Sequence, residues 1–183
     1  MAHVQTAIFL DRDGTIIVDK HYLKDPDGVE LLPGTREGIA NMRRNGALLF
    51  LLSNQSGISR GLLTHSDVDM CNKRMEMLLT GGESIFKEVC IAPEMPDEPS
   101  VYRKPSPKFI LECVQKYHLD KKHCYMVGDK ESDILAGINA GINSVLISQD
   151  EKFSAEILEK YPTVTHFKNL EQFSNSVFHQ LDK

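Results

Sequence analysis

The chain has 183 residues, of which 41% are hydrophobic and 26% charged, so it can form a packed core and extensive disorder is excluded. Its 21 basic and 26 acidic side chains give a formal net charge of −5, which argues against a general nucleic-acid binder with a basic face. The length fits a single domain over residues 1–183.

The cysteines and the apolar segments indicate the compartment. Cys71, Cys90, Cys113 and Cys124 form no CxxC pair, and their spacing suggests no disulfide framework. The amino terminus lacks the basic segment and long apolar run of a signal peptide, and no apolar stretch reaches the length of a membrane span. We therefore expect a cytoplasmic monomer that binds neither membrane nor nucleic acid.

Apolar, strand-like runs alternate with segments of helical period along the chain. In chain order, the predicted elements are strand 6–10, helix 34–46, strand 47–53, helix 65–80, strand 86–92, helix 106–118, strand 124–129, helix 131–141, strand 143–148, helix 153–160, strand 164–167 and helix 170–181. Thr64 or Ser66 can cap the second helix, and Ser106 the third. The alternation predicts an α/β fold, a Rossmann-like three-layer sandwich with a central parallel sheet.

Two long irregular segments, residues 18–34 and 93–107, are rich in Pro, Asp and Gly. Loops of this length in a compact domain usually carry function. Only about thirty residues, including a helix, separate the first two strands, and one helix separates the second from the third. Neither interval can hold a large cap domain over the sheet.

Polar clusters follow three of the predicted strands and precede one helix. They are Asp11-Arg12-Asp13-Gly14-Thr15, Ser53-Asn54-Gln55-Ser56-Gly57, Arg103-Lys104-Pro105 and Gly128-Asp129-Lys130-Glu131-Ser132-Asp133. Each cluster alone is typical of a turn, a helix cap or a solvent-exposed pair of charged side chains. Together, at the carboxyl ends of parallel strands, they predict a site for phosphoryl transfer.

Each group in these clusters has a use in that chemistry. Carboxylates bind Mg²⁺ and leave room for a phosphate, while a hydroxyl and an ammonium hold the phosphoryl oxygens. One carboxylate can attack phosphorus to form an aspartyl-phosphate. A second can protonate the leaving group and then activate water. The physics does not say which aspartate attacks.

In this order, the stretches DRDGT, LLSNQSG, RKP and GDKESD resemble the four motifs of the haloacid dehalogenase (HAD) superfamily of phosphohydrolases. They span roughly residues 7–147, and the longer stretches SNQSGISRG, RKPSP and GDKESDILAGINAG resemble the branch of heptose bisphosphate and histidinol phosphatases. Asp19 and Tyr22, in VDKHY, make the heptose enzymes the nearer match.

The resemblance implies a role for each motif residue. Asp11 is expected to be the nucleophile and a Mg²⁺ ligand, and Asp13 the general acid and base, with its backbone carbonyl on Mg²⁺. Ser53 and Lys104 would stabilise the transferring phosphoryl group. Asp129 would be the third Mg²⁺ contact. Asp133 would orient these groups without itself contacting Mg²⁺. The residues expected to contact substrate are Asp19, Lys20, His21, Tyr22, Asn54, Gln55, Ser56, Arg103 and Lys130.

The loop before the RKP motif differs in sequence from that of the branch. Its members often bind zinc just before the RKP motif through three cysteines and a histidine. Here Cys90 stands at the first place, while Ala92, Ser100 and Tyr102 stand at the other three. A structural zinc site takes four ligands, so no zinc is predicted. We expect the loop to be held by its prolines and by the packing of Tyr102.

The resulting hypothesis is a Mg²⁺-dependent phosphatase acting on a small phosphorylated sugar. The 7-phosphate of D-glycero-D-manno-heptose 1,7-bisphosphate is the first candidate. The alternatives are a histidinol-phosphatase, a polynucleotide 3′-phosphatase and, outside enzymes, a receiver-like phosphoacceptor domain. The negative charge counts against the polynucleotide substrate. A receiver would carry its phosphoacceptor on a mid-chain strand, whereas here the acidic pair follows the first.

Overall fold

A computed structural model describes residues 5–178 of the chain. Six strands alternate with six helices. In chain order they are β1 (Ala7–Leu10), α1 (Thr35–Arg44), β2 (Leu48–Asn54), α2 (His65–Thr80), β3 (Phe86–Ala92), α3 (Lys108–Lys116), β4 (Cys124–Gly128), α4 (Glu131–Ala140), β5 (Asn143–Ile147), α5 (Glu151–Lys160), β6 (Thr165–Phe167) and α6 (Leu170–Phe178). Every predicted element is present, with its ends shifted by at most a few residues. The part of the predicted last helix after Phe178 lies outside the described residues.

The six strands form one parallel sheet in the order β3-β2-β1-β4-β5-β6. Helices α1, α2 and α6 pack on one face, and α3, α4 and α5 on the other. Successive residues of β1 point to opposite faces, so Ile8 and Leu10 enter one core, and Ala7 and Phe9 the other. The predicted three-layer α/β sandwich is confirmed.

The strand β1 lies at the centre of the sheet, and all four of its residues are buried. It pairs with β2 on one side and β4 on the other, with Leu10 opposite Leu51 and Val127. A strand covered on both faces and both edges is held rigidly. Residues that follow β1 therefore begin from a fixed position at the carboxyl edge of the sheet.

Two predicted helix caps have different outcomes. Thr64 caps α2 as expected, with its hydroxyl accepting from the Asp67 N–H and the Asp67 carboxylate accepting from the Thr64 N–H. The prediction of Ser106 as the cap of α3 is wrong by one residue, because Pro107 occupies the cap position. The Ser106 hydroxyl instead donates to the Val101 carbonyl at 2.7 Å, which ties the preceding loop.

The connections leave the carboxyl edge of the sheet uncovered by any further domain within residues 5–178. Between β1 and β2 lie a single 3₁₀ turn (Pro26–Gly28) and α1, and between β2 and β3 lies α2. Among the described residues, no helix is both long and apolar enough to cross a membrane.

Candidate active site

Three neighbouring strands at the centre of the sheet bring the predicted catalytic side chains together. Asp11 follows β1, Ser53 lies near the end of β2, and Asp129 follows β4. The Asp11 N–H donates to the Val127 carbonyl at 3.0 Å, which extends the parallel pairing one residue past β1. The backbone of Asp11 is therefore fixed by the sheet at the edge where ligands bind in this architecture.

Lys104 joins two buried carboxylates. Its Nζ lies 2.6 Å from Asp11 Oδ1 and 2.6 Å from Asp133 Oδ1, although the lysine is only 3% exposed. Burial lowers the pKa of Lys104, but the two carboxylates outweigh burial and raise it, so the ammonium stays charged. Buried ion pairs contribute little to stability once desolvation is counted, so this arrangement points to chemistry.

The carboxylates of Asp11, Asp129 and Asp133 form a group that fits a divalent cation. One oxygen from each lies within 4.8 Å of the others. Asp129 Oδ1 is buried and has no hydrogen-bond partner among residues 5–178. Burial, followed by the negative charges of Asp11 and Asp133, raises the pKa of Asp129 to about 8. A hard cation would give this oxygen a partner and offset the repulsion.

Two glycines make room for these carboxylates. A Cβ on Gly14 would lie 2.2 Å from Asp129 Oδ2, and a Cβ on Gly128 would lie 2.2 Å from Asp133 Oδ2. Gly14 also has a φ of +92°, a conformation that disfavours other residues. The glycines of the DRDGT and GDKESD motifs are thus explained by close packing against the acidic group.

Gly14→Ala is expected to weaken both folding and cation binding, because the new methyl group displaces the Asp129 carboxylate. Gly46→Ala is the matched control, since Gly46 has a φ of +73° but nothing within 4 Å of an added Cβ. Both variants carry the backbone cost, while only Gly14→Ala adds an overpacking cost of about 1–3 kcal/mol. Thermal unfolding and cation titration measure the difference, and equal behaviour of the two variants would contradict this reading.

Asp13 lies next to this group and accepts hydrogen bonds from side chains at the end of β2 and just after it. Gln55 Nε2 donates to Asp13 Oδ2 at 2.7 Å and contacts Ser53 Oγ at 2.8 Å. The Ser53 hydroxyl is 3.5 Å from the same Asp13 oxygen. Burial raises the pKa of Asp13 despite the opposing charge of Arg12, a direction compatible with the predicted role of general acid and base.

The side-chain amide of Asn54 holds the backbone of Lys104, the lysine predicted to be catalytic. Asn54 Nδ2 donates to the Lys104 carbonyl at 3.1 Å, and Asn54 Oδ1 accepts from the Lys104 N–H at 2.9 Å. The peptide bond between Lys104 and Pro105 is cis. The two motifs that supply the hydroxyl and the ammonium are thus tied directly to one another by this side-chain amide.

The loop before Lys104 is held by a carboxylate. Glu94 Oε1 accepts from the N–H groups of Val101 and Tyr102, each at 3.1 Å, and Arg103 donates to the Glu94 carbonyl at 3.1 Å. Tyr102 packs on the adjacent core, as predicted, but Glu94 was missed. Burial raises the pKa of Cys90 to about 11, so without a metal this thiol stays protonated.

A cleft of about 250 Å³ opens beside Asp13. Eight of the nine residues expected to contact substrate line it, the exception being Lys20, whose ammonium contacts the Gly28 carbonyl and Glu30. Lys130 Nζ donates to Asp19 Oδ2 at 2.9 Å, joining the loop after β1 to the loop after β4. The residues expected from the sequence that line the cleft are Asp19, His21, Tyr22, Asn54, Gln55, Ser56, Arg103 and Lys130.

The chain is similar to one enzyme family and to several of its characterised members. Residues 101–172 match the model of the HAD-hydrolase-like family. The chain is 36% identical over 152 residues to a D-glycero-beta-D-manno-heptose-1,7-bisphosphate 7-phosphatase of Helicobacter pylori, covering 79% of this chain and 84% of the relative. It is 31% identical over 159 residues to the protein of that name in Escherichia coli K12, covering 83% of each.

Solved structures agree on the architecture. The D,D-heptose 1,7-bisphosphate phosphatase of B. bronchiseptica, solved with magnesium and phosphate, superposes with a TM-score of 0.85. The match covers 96% of this chain and 99% of that one, at 24% sequence identity. At this identity the likeness establishes the fold.

Proposed function

The chain belongs to the HAD-like phosphatases, and from that premise we propose that it removes the 7-phosphate of D-glycero-D-manno-heptose 1,7-bisphosphate with the aid of Mg²⁺. It is thus a phosphoric monoester hydrolase, and the substrate and the metal are the proposal. One observation carries it: the buried Lys104 ammonium, 2.6 Å from Asp11 and from Asp133 at the junction of three strand ends. The names of the relatives support the choice of a heptose bisphosphate.

In the proposed reaction, an oxygen of Asp11 attacks phosphorus, and the bond from phosphorus to the sugar oxygen breaks. Asp13 gives its proton to the departing sugar oxygen. Asp13 then takes a proton from water as the water oxygen attacks the phosphorus on Asp11, which releases phosphate and restores both carboxyl groups. The Ser53 hydroxyl and the Lys104 ammonium hold the phosphoryl oxygens throughout.

The acidic group is suited to holding the metal. Asp11 and Asp129 would bind Mg²⁺ through carboxylate oxygens, and Asp13 through its backbone carbonyl, with Asp133 close by. The orphan Asp129 Oδ1 and the three clustered carboxylates fit a hard cation. Mg²⁺ would offset the negative charge of the phosphate facing these carboxylates.

The domain organisation, oligomeric state, location and partners of the chain are predicted from its sequence. We propose that it acts as a single domain, which is supported by the one sheet that joins all six strands. A monomer, a cytoplasmic location and the lack of a nucleic-acid partner stay predictions. The receiver-like alternative is set aside by the membership in a phosphatase family.

The test is phosphate release from a panel of phosphomonoesters, each with and without Mg²⁺. The panel contains heptose 1,7-bisphosphate in both anomers, histidinol phosphate, nucleotides and a 3′-phosphorylated oligonucleotide. We expect one anomer of the heptose to exceed every other compound by orders of magnitude, only with Mg²⁺. A higher rate on histidinol phosphate or on the oligonucleotide would overturn the substrate proposal, and metal-independent release would overturn the Mg²⁺ proposal.

Mg²⁺ binding is expected to strengthen with pH and then level off. The pKa of Asp129 is about 8 in the folded protein against an ordinary value of 3.8, so below about pH 8 the metal must displace a proton. The apparent affinity should rise about tenfold per pH unit up to that point. For the same reason, this group lowers the stability of the metal-free protein as pH rises from about 4 to 8, because the unfolded chain has already lost the proton.

Calorimetric titration of Mg²⁺ at several pH values, in buffers of different ionisation enthalpy, measures both the affinity and the protons released. Asp129→Asn is the comparison, since it removes the titrating ligand. An affinity that does not change between about pH 6 and 8, with no proton released, would contradict the assignment of Asp129.

A further inference from the structure

Arg12, between the two aspartates of the DRDGT motif, is a buried arginine that no role in the proposed reaction explains. It is 1% exposed, and it is among the largest fully buried side chains of the described residues. Burying a guanidinium is unfavourable unless its N–H groups are satisfied by acceptors, because the group stays protonated. Its partners therefore indicate what it does.

One edge of the guanidinium, formed by Nε and Nη2, faces Asp13. Arg12 Nε donates to Asp13 Oδ2 at 3.0 Å, and Nη2 donates to Asp13 Oδ1 at 3.1 Å. Both carboxylate oxygens are held in this fork, which fixes the plane of the carboxyl group as well as its position. A lysine, with a single point of charge, could not fix that plane.

The third contact anchors Arg12 to a rigid element. Arg12 Nη1 donates to Asn72 Oδ1 at 3.0 Å, and Asn72 lies on α2. This helix is fixed at its start by the capping box of Thr64 and Asp67, and in its middle by the buried Cys71 and Met75. The chain of contacts thus runs from a packed helix to the carboxyl group of Asp13.

We infer that Arg12, braced by Asn72, is a positioning residue that orients the Asp13 carboxyl group toward the leaving oxygen of the substrate. The inference rests on the proposed function, in which Asp13 is the general acid and base. Arg12 borders the cleft beside Asp13, but it is 1% exposed and its three side-chain hydrogen bonds go to Asp13 and Asn72, so its effect on the reaction is assigned to Asp13.

This role predicts a dependence on the leaving group. A sugar alkoxide is a poor leaving group and needs the proton from Asp13, whereas p-nitrophenolate leaves without one. The constant kcat/KM reports the first step, in which the leaving group departs. Loss of Arg12 should therefore lower kcat/KM for heptose 1,7-bisphosphate much more than for p-nitrophenyl phosphate.

The experiment measures kcat/KM on both compounds, with Mg²⁺, for the unmodified chain, Arg12→Met, Arg12→Lys and Asn72→Ala. We expect Arg12→Met to lose about 30–100-fold on the sugar phosphate and less than about threefold on the aryl phosphate. The selective loss of kcat/KM on the sugar phosphate should be smaller in Arg12→Lys than in Arg12→Met. Asn72→Ala should also show a smaller selective loss than Arg12→Met. Arg44→Met, at an exposed arginine of α1, is the control and should change neither constant.

A double-variant cycle tests whether Arg12 acts through Asp13. In an Asp13→Asn background, Arg12→Met should add no further selective loss on the sugar phosphate. If Arg12→Met fails to fold, Asn72→Ala decides, because Asn72 is only half-buried and its replacement removes the contact that holds the Arg12 guanidinium against Asp13.

Equal losses on the two compounds, or a selective loss that persists in the Asp13→Asn background, would overturn the inference. Equal losses together with weaker inhibition by inorganic phosphate would show that Arg12 binds the phosphoryl group directly. Failure of the unmodified chain to hydrolyse either compound would contradict the proposed function itself, which keeps the two failures distinct.

Discussion

Asp11→Asn is expected to lower turnover by at least about 10⁴-fold while leaving the protein folded. The amide keeps the size of the carboxyl group but cannot attack phosphorus. Folding should survive because Lys104 retains its contact with Asp133, and because one of three clustered negative charges is removed. Steady-state phosphate release and thermal unfolding, measured on the same preparation, report the two effects.

Asp69→Asn is the matched control for this change. Asp69 is exposed on α2, where its carboxylate pairs with Lys73 one turn away. The same chemical substitution there should alter neither turnover nor the unfolding temperature. Activity retained by Asp11→Asn would remove Asp11 as the nucleophile, and an unfolded variant would show that its charge is structural.

Lys104→Met is expected to have the largest effect on stability. It leaves two buried carboxylates, on Asp11 and Asp133, without the cation that joins them. Removing one partner of a buried ion pair typically lowers the free energy of unfolding by about 3–5 kcal/mol. Turnover should fall about 10³-fold as well, because the ammonium that would hold the phosphoryl oxygens is lost.

Lys104→Met combined with Asp133→Asn isolates the electrostatic cause. If repulsion between buried carboxylates dominates, the double variant should be more stable than Lys104→Met alone. Lys73→Met, at an exposed lysine, is the control for losing an ammonium group and should unfold as the unmodified protein does. A Lys104→Met protein as stable as the control would contradict the expected cost of leaving the buried carboxylates of Asp11 and Asp133 without their cation.

The fold could be predicted because its signals are local. The alternation of apolar runs with helical segments defines a parallel sheet, and parallel connections bring the strand ends to one edge. For this reason Asp11, Ser53 and Asp129 could be grouped from the sequence although they lie far apart in it. The error at Ser106 has a local cause as well: Pro107 takes the cap position, and the Ser106 hydroxyl donates to a loop carbonyl at 2.7 Å while accepting only a long contact of 3.4 Å from the Lys108 N–H.

The interior of the site could not be predicted in the same way. Nothing in the letters DRD shows that Arg12 turns inward to form a fork with Asp13, because that depends on where α2 packs. Glu94 was missed because its partners are backbone N–H groups of a loop that only the folded chain brings near. The side chain of Lys20 lies away from the cleft because closer acceptors, the Gly28 carbonyl and Glu30, hold its ammonium.

In the proposed reaction, Asp11 carries the phosphoryl group during turnover. The most direct measurement uses Asp13→Asn with p-nitrophenyl phosphate and Mg²⁺, because nitrophenolate departs without an acid but hydrolysis of the intermediate needs a base. We predict a burst of one nitrophenolate per protein molecule, with borohydride reduction and peptide mass spectrometry marking residue 11. The absence of a burst, a burst that survives Asp11→Asn in the same background, or a label on another residue would contradict the role of Asp11 as the nucleophile.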